Sequence, residues 1–460
     1  MSSSTGINLN GINLLNGQGI DVSSIVSQMV TAASVPETQW QSQQSSIQGQ
    51  ISDLNVLQSS TTTLENDLAA LQDPVGSVTS RSVTSSDSSL VSASASAGSA
   101  IGNHTVVVNS LATTSSYYTG EVASATTTLA SGTFDLSVGG GTANTITIDS
   151  SDNTLTGLAS AINNQNLGVT ASVVTDANGA RLALVSQSSG AAGDLSVTNA
   201  SSGLSFGFTK AATGTNASLA VDGVPVSSAS NTVTGALTGL TLNLNGAAPN
   251  TTVNISVAPD TSAVTNAVTS FVNDYNTLIG QVNTEYAFDT STNSGGPLQG
   301  DSTVEMLQST LLGSGGYTAG GSSAVNTLAD LGITMNDDGT LTLNSSTLNN
   351  AISNNYSAVQ TFLQGDGTGT NGFASQFATQ LGNLTNPVEG AFSVDLSGYN
   401  ATVSSLQDQI NDFQTYITAQ QTMWTAQYDQ MNVTLQELPE QQEAIQAELG
   451  NSNYANTNNG

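Results

Sequence analysis

The 460-residue chain carries 33 acidic side chains but only three basic ones, Arg81, Arg181 and Lys210, so its formal net charge is −30. Charged residues make up 8% of the chain, against roughly 25% in an ordinary soluble protein. So few cations cannot neutralise nucleic-acid phosphates or bind an anionic membrane surface, and both partner classes are excluded. Cysteine is absent and His104 is the single histidine, which leaves no material for thiol chemistry, a histidine-based metal centre or a catalytic triad. We therefore predict neither an enzyme nor a cofactor.

The N-terminal part of the chain predicts two consecutive helices. Asp21 is a candidate N-cap for a short amphipathic helix whose apolar residues recur every three or four positions: Val22, Ile25, Val26, Met29 and Val30. Val35-Pro36 interrupts this pattern, and Pro36 suits the first turn of a second helix. The second helix keeps an apolar seam of period near 3.5 until Asp73-Pro74, with Gln44 and Thr61 at two seam positions. Such a seam predicts a helical partner.

Neither a membrane-spanning helix nor a secretory signal peptide is predicted. No run of 18 apolar residues occurs in the sequence. Residues 1–19 have neither a basic region nor a continuous apolar run. We expect a protein that stays in the cytoplasm or leaves by a route that reads no such signal.

The period of the apolar residues changes to two between about residues 75 and 260, which predicts a β-rich region. Strand-like runs lie at 106–108, 134–138, 146–148, 169–174, 181–185 and 240–244. Asn178-Gly179 predicts a hairpin between two of these runs, and residues 154–163 predict a helix. His104 is expected on a strand surface. Gly203–Gly207 matches the nucleophile-elbow pattern, but the histidine of such a hydrolase follows its serine, whereas His104 precedes this segment.

The remainder of the chain is predicted to be mostly helical. Asp260 would cap a third helix, and Ser302 and Glu305 stand at capping-box spacing before a fourth. A hairpin is predicted around Asp337-Asp338-Gly339, and two further helices follow at about 346–363 and 373–384.

The last predicted helix is the longest. One apolar stripe runs from Tyr399 to Leu449, with Gln420 and Gln442 in seam positions. Pro439 is expected to kink or restart this helix near Leu438. The stripe is expected to belong to the protein's own core up to about Phe413 and to an intermolecular coiled coil beyond it.

Two apolar faces, one near each end of the chain, have no partner in their own half. One is the face of the first helix, Val22 to Val30; the other consists of Trp424, Tyr428, Met431 and Leu435. A helix shorter than about 12 residues is marginal in water, so the first face needs a partner. We predict that the two faces pack against each other or against neighbouring subunits, and that these nine residues form the oligomer or filament contacts.

The order helix, β, helix predicts an α+β multidomain protein with a terminal helical, coiled-coil stalk and inserted β-rich heads. We expect four parts: terminal coiled-coil segments at 1–35 and 425–460, a helical leg domain at 36–73 and 261–424, a β head domain at 74–117 and 215–260, and an outer β head domain at 118–214.

Four segments, taken in order along the chain, resemble segments of known proteins. Gly19–Val30 resembles an N-terminal segment, Ser270–Ile279 the opening of a C-terminal half, and Leu331–Leu343 a downstream hairpin. Leu155–Val185, with Ala161-Ile162-Asn163 inside it, looks like the flagellin hook-type insertion motif and falls in the expected outer head domain. In this order, the four resemble the flagellar filament-capping proteins (hook-associated protein 2, the FliD family). The near-absence of lysine and arginine is a departure from that family.

The resemblance implies a structural protein, secreted to the distal tip of a bacterial flagellar filament. Caps of this family are ring-like homo-oligomers with a plate of β heads and helical legs, and they help exported flagellin subunits to fold and insert beneath the plate. The implied partners are further copies of the chain, flagellin, and the flagellar type III export apparatus with a chaperone. Some members also adhere to host surfaces.

Two other functions fit parts of the same pattern. A flagellin-like component of the filament, or of the hook–filament junction, would share the helix–β–helix order. A secreted β-rich adhesin would explain the head but not the paired terminal helices.

Overall fold

The computed structural model describes residues 20–290, 294–320, 323–367 and 371–455. Residues 1–19 and 456–460 lie outside the described ranges. The outer ends of the two expected coiled-coil segments, 1–35 and 425–460, and Gly19 of the family resemblance therefore also lie outside them. Eight α-helices lie in the described ranges: α1 (Val22–Ala33), α2 (Val35–Gln72), α3 (Leu155–Asn164), α4 (Thr261–Tyr286), α5 (Ser302–Ser314), α6 (Ser345–Gln364), α7 (Phe373–Thr385) and α8 (Ala391–Ala455).

The helix starts are set by side chains that bond free backbone N–H groups. Asp21 and Asp260 accept such bonds from the first turns of α1 and α4, which confirms both as N-caps. The cap of α5 is Asp301 rather than the predicted Ser302, because the Asp301 carboxylate accepts N–H bonds from two and three residues further on. A carboxylate at this position also interacts favourably with the helix dipole.

Strands occupy most of the region between α2 and α4. The strands of the described ranges are β1 (Arg81–Ser85), β2 (Val91–Ala95), β3 (Gly102–Ser110), β4 (Thr114–Thr119), β5 (Gly132–Val138), β6 (Asn144–Ile148), β7 (Val169–Thr175), β8 (Ala180–Ser189), β9 (Leu195–Thr198), β10 (Phe208–Ala212), β11 (Ala217–Val221), β12 (Val224–Ser228), β13 (Thr232–Thr234), β14 (Leu240–Leu244), β15 (Val253–Pro259), β16 (Phe288–Asp289), β17 (Ser294–Gly295), β18 (Ile333–Met335) and β19 (Leu341–Leu343). All the strand runs predicted from period two lie within these bounds.

The strands form two heads, each with its own hydrophobic core. In the inner head, an antiparallel sheet of order β1-β15-β3-β11-β12 shares a core with the sheet β13-β14-β2. In the outer head, the sheets β10-β4-β8-β7 and β6-β5-β9 share a core with α3. The outer head is inserted between β3 and β11 of the inner head, and the inner head between α2 and α4.

The helices α2, α4, α5, α6 and α7, the start of α8 and the hairpin β18–β19 enclose a further core, which we call the leg. Its largest buried side chains are aromatic: Phe271, Tyr275, Phe362, Phe373, Phe377 and Phe392. α2 packs against α4, α7 and α8, so its predicted need for helical partners is confirmed. None of the described helices has both the length and the apolar content that crossing a membrane requires.

Two local predictions met different outcomes. The Asn178-Gly179 hairpin is confirmed: it joins β7 to β8, and the Asp176 N–H donates to the Gly179 carbonyl. The expected restart at Pro439 is wrong, because α8 is one helix from Ala391 to Ala455 and includes this residue, whereas a kink near Leu438 stays a prediction. Proline frees the carbonyl one turn earlier, and in this exposed stretch water can bond it without ending the helix.

Candidate assembly surface on the terminal helices

The two ends of the chain come together as an antiparallel pair of helical arms. The N–H of Ile20 donates to Oδ1 of Asn432 over 2.8 Å, and Nε2 of Gln414 donates to Oε1 of Glu37 over 2.7 Å. Residue numbers therefore rise along one arm while they fall along the other. We call α1, residues 35–50 of α2 and residues 403–449 of α8 the stalk.

The structure brings the two predicted contact faces onto the same stretch of the stalk, where α1 packs against α8. On α1, Val22 and Val26 are buried, whereas the other three predicted residues are half-buried: Ile25, Met29 and Val30. On α8, Met431 is 41% exposed and the other three predicted residues are half-buried: Trp424, Tyr428 and Leu435. Each face therefore covers part of the other and leaves part of itself on the surface.

Asn432 is a functional candidate that the sequence analysis missed. Its side-chain oxygen satisfies the Ile20 N–H, which lies just before α1 and has no helical acceptor. The available signal was spacing: Asn432 follows Tyr428 by one helical turn, so it falls on the apolar stripe, where a polar residue needs a partner.

Amides provide the polar contacts that lysine–glutamate pairs provide in ordinary coiled coils. Nε2 of Gln44 donates to Oε1 of Gln407 over 3.1 Å, and Gln41 and Gln414 both donate to Glu37. A hydrogen bond of this kind contributes only about 1 kcal/mol net. Between these bonds, Trp40 packs edge-on against Phe413 with 5.4 Å between the ring centroids.

The stalk extends past the first described turn of α1. Ile20 lies level with Asn432, so the rest of α8 runs beyond the described part of the N-terminal arm. In this stretch Leu438 is 46% exposed and Ile445 is 56% exposed. These side chains continue the apolar face on which Met431 is also exposed.

Arg81 fastens the inner head to the leg. Its Nη1 donates to the Tyr356 hydroxyl on α6 over 2.9 Å and to the Thr79 carbonyl over 2.8 Å, and its Nε donates to the Ser99 carbonyl over 2.8 Å. The guanidinium also lies over the Tyr356 ring, 5.4 Å from its centroid. The Tyr356 hydroxyl in turn donates to the Val78 carbonyl, so one contact ties β1, the segment before it and α6 together.

The other potential cations are paired inside the heads. Arg181 binds Glu121, and Lys210 binds Asp194, each over 2.7 Å. The bond from Lys210 holds the pKa of Asp194 below its ordinary value. His104 lies half-buried in β3, as expected for a strand residue near the surface, and Nδ1 lies 2.8 Å from Oδ2 of Asp222.

Catalytic groups do not converge in the described residues. Ser205 of the elbow-like segment belongs to the outer head, where its hydroxyl accepts the Ala130 N–H, whereas His104 belongs to the inner head. The described residues also hold no group of three or more histidine, aspartate or glutamate side chains arranged to bind a metal ion.

Comparison with known proteins gives a consistent family. The model of the flagellar hook-associated protein 2 N-terminus matches residues 18–115, and that of the C-terminus matches residues 214–440. The flagellin hook IN motif matches residues 133–188, which contain the predicted motif at Leu155–Val185.

Two curated relatives and one solved structure cover most of the chain. The B-type flagellar hook-associated protein 2 of Pseudomonas aeruginosa is 30% identical over 407 residues, which cover 81% of this chain and 84% of the relative. The flagellar hook-associated protein 2 of Escherichia coli K12 is 30% identical over 450 residues, which cover 92% of this chain and 94% of the relative. The crystal structure of the flagellar cap protein FliD D1-D2-D3 domains from E. coli aligns with a TM-score of 0.61 at 27% identity, covering 76% of this chain and 99% of that one.

Proposed function

The chain belongs to the flagellar hook-associated protein 2 family, the filament caps of bacterial flagella, and on this premise we propose how it performs that role. Copies of the chain assemble into a ring at the distal tip of the filament. The heads form a plate, and flagellin subunits fold and insert beneath it. As family members do, the protein reaches the tip through the flagellar type III export apparatus, with a chaperone, and is thereby secreted.

The observation that carries this proposal is the stalk. Pairing of Ile20 with Asn432 joins opposite ends of the chain into one helical arm, and α2 connects this arm at its first turns to the inner head after its last turn. The nine predicted residues on α1 and α8 couple this arm to the filament or to neighbouring copies. Seven of the nine, all except Val22 and Val26, are incompletely buried, and this supports that role because partly exposed apolar side chains on a helix pair gain free energy when a partner covers them.

The amide-rich seam suits a cap that must move. Each incoming flagellin requires the arms to shift, and exposed hydrogen bonds of about 1 kcal/mol can exchange partners more easily than a dry apolar seam can separate. The leg core, with its interlocked aromatic rings, supplies the rigid part.

We also propose a division of the chain into four parts with separate roles. The stalk ends are residues 1–35 with 425–460, and the leg is 36–73 with 261–424. The inner head is 74–117 with 215–260, and the outer head is 118–214.

The test is restoration of filaments in cells that lack their own cap protein. The full chain should restore filament growth in a host whose flagellin it serves. Val26→Ser and Trp424→Ser should shorten the filaments, because they remove apolar contact from the two faces. Val433→Ser is the matched control, since Val433 also lies on α8 but is 55% exposed and outside the predicted faces.

Particle shape separates the remaining functions. A cap should appear as a closed ring with legs in electron micrographs of the purified protein. An open filament would instead support a flagellin-like filament or junction component, and a monomer that binds host cells would support an adhesin. Either result, together with failure to restore filaments, would overturn the proposal.

A further inference from the structure

Every basic side chain of the protein is already engaged within its own heads or at the joint with the leg. Arg181 and Lys210 are paired with carboxylates in the outer head, and Arg81 is held by carbonyls and the Tyr356 hydroxyl. The leg helices α4 to α8 and the whole stalk contain no lysine or arginine. No basic group is therefore left to neutralise the acidic side chains of the leg and stalk.

We propose that the protein is built to fold and to associate with itself in an acidic medium, near pH 4 to 5, where protons neutralise its carboxylates in place of basic side chains. At pH 7 the formal charge is −30, and the isoelectric point of the sequence is about 4.1. Self-repulsion of this size opposes both compact folding and the approach of a second copy. Acid removes that repulsion.

The same composition protects the fold at low pH. An ordinary chain of this length has roughly 55 lysines and arginines, and their mutual repulsion unfolds it once its carboxylates are protonated. Here full protonation leaves charge only on three lysine and arginine side chains, one histidine and the chain end. Acid therefore discharges this protein instead of reversing its charge.

A pair of carboxyl groups in the leg shows the same design locally. Asp67 of α2 faces Asp274 of α4, and Oδ2 of Asp67 is buried without a hydrogen-bond partner. Two carboxylates cannot donate to each other, but one shared proton supplies the missing donor. The neighbouring acid on α2, Glu65, instead accepts a hydrogen bond from the Thr385 hydroxyl of α7.

The direction of the pH effect follows from this geometry. Burial and then Asp274 raise the pKa of Asp67 to about 6, above the ordinary value of 3.8. The folded state thus binds a proton that the unfolded state releases, so this pair stabilises the fold in acid and loses its effect as the pH rises through 6.

Other carboxylates set the lower limit of the range. Bonds from Lys210, from His104 and from the Asn326 N–H lower the pKa of Asp194, Asp222 and Asp330. These groups stabilise the fold above the ordinary value near 3.8, and that contribution is lost as the pH falls below it. The maximum of stability therefore lies between about pH 4 and 6.

The test measures the full chain from pH 3 to 8 at constant ionic strength. Circular dichroism gives the melting temperature, Tm, and light scattering gives the particle mass. We expect the highest Tm between pH 4 and 6 and the largest particles near pH 4 to 5, with both falling by pH 7.5. A highest Tm at pH 7 to 8 would overturn the inference. Failure to associate at any pH, with the acid maximum of Tm present, would overturn the proposed ring and the acid-driven association inferred here, but not the acid-adapted fold.

Two variants make the test specific. Asp67→Asn supplies an amide donor at every pH, so it should raise Tm at pH 7.5 and flatten the change between pH 5 and 7. Asp274→Asn should do the same if the first variant folds poorly. Asp408→Asn is the control, because it removes one exposed carboxylate of α8 and leaves the pair intact. An equal response of Asp408→Asn would refute the role of the pair.

Association has its own variant and control. Replacing Glu437, Glu440, Glu443 and Glu448 with glutamine removes four charges from the exposed end of α8 and should move association toward pH 7. Raising salt at pH 7.5 should act in the same direction by screening. Dissociation with added salt would show that specific ion pairs hold the copies together and would contradict the inference.

Discussion

Asn163 closes the open edge of a sheet with a single side chain. β7 ends the order β10-β4-β8-β7, so on one side its backbone groups lack a neighbouring strand. Nδ2 of Asn163 in α3 donates to the Ala171 carbonyl and Oδ1 accepts the Ala171 N–H, each over 2.8 Å. The amide thus occupies the place of a strand, which removes a template for unwanted strand pairing. This explains in physical terms why an asparagine follows Ile162 in the motif noted from sequence.

Asn163→Ala should destabilise the outer head and expose its edge. Two backbone groups lose their partners, so we expect a loss of about 1–3 kcal/mol in the free energy of unfolding. Urea unfolding, monitored by far-ultraviolet circular dichroism, measures the loss of stability. Size-exclusion chromatography detects new association between copies. Asn164→Ala, one position further along α3 and exposed, is the control. Equal stability of the two variants would show that the edge needs no such cover.

At the joint between leg and inner head, Arg81 combines four hydrogen bonds with a contact to the Tyr356 ring. Arg81→Lys keeps the charge but cannot reach all four acceptors, because an ammonium lacks the planar fork of the guanidinium. We expect faster hydrogen exchange at residues 76–81 and a wider distribution of head angles in solution scattering, with the helix content of the leg unchanged. Tyr356→Phe keeps the ring and should give a smaller effect of the same kind. A change confined to the leg would mean that Arg81 does not hold the head.

Among the elements, those with an apolar period could be predicted and those without it could not. The seams of α1, α2 and α8 and the alternating strands β5, β6 and β14 follow directly from residue spacing. By contrast, β1, β2 and β4 read RSVTS, VSASA and TSSYYT, and their serines and threonines fit a turn as well as a strand. Their conformation depends on neighbouring strands distant in sequence, such as Ser82 opposite Ala258, and no local pattern reveals these.

The candidate surface on the stalk also has features that the sequence could predict and features that it could not. The two apolar faces could be predicted because each lacked a partner nearby in the sequence. Their register could not, because it depends on the bond from Ile20 to Asn432 across 412 positions. The joint was missed for a similar reason, since the spacing of Arg81 and Tyr356 carries no sequence signal.

Trypsin should cleave after Arg181 and after Lys210, both in the β region, at different rates. The exposed turn after β7 would by itself favour cleavage at Arg181, but Arg181 lies in β8, paired with Val174 and bound to Glu121. The next N–H, that of Leu182, donates to the buried Thr119 hydroxyl. A protease needs an extended, unpaired segment, so we expect Arg181 to resist native digestion.

Lys210 lies in the edge strand β10 and should be cut first, releasing a large C-terminal fragment that begins at Ala211. Mass spectrometry of a digestion time course identifies the order. Early cleavage after Arg181 would show that the β7–β8 hairpin opens readily in the native protein.

For the whole molecule, the decisive prediction is that the stalk ends serve assembly and not folding. The buried residues of the leg core run from Leu54 to Leu71 in α2, include Val78 just after that helix, and continue from Val264 to Phe392 in the second half of the chain. Removing residues 1–35 and 425–460 therefore deletes no member of that core. It removes the whole face of α1 and every residue of the α8 face except Trp424, so neither face is left intact without the other. We expect a soluble fragment whose thermal transition stays close to that of the full chain, because the three cores that unfold in it are intact.

The same fragment should fail to support filament growth in cells that lack their own cap protein, whereas the full chain expressed at the same level supports it. Deleting only residues 425–460 should be worse for folding than deleting both ends, because Val22 and Val26 then lose the cover of α8 and the fragment aggregates. Filament length in electron micrographs and the Tm of each purified fragment together decide the matter. Normal filaments with the doubly shortened protein would mean that the leg and heads suffice for capping. A large drop in its Tm would mean that the stalk is part of the fold, and the separation of a rigid leg from an assembling arm would be wrong.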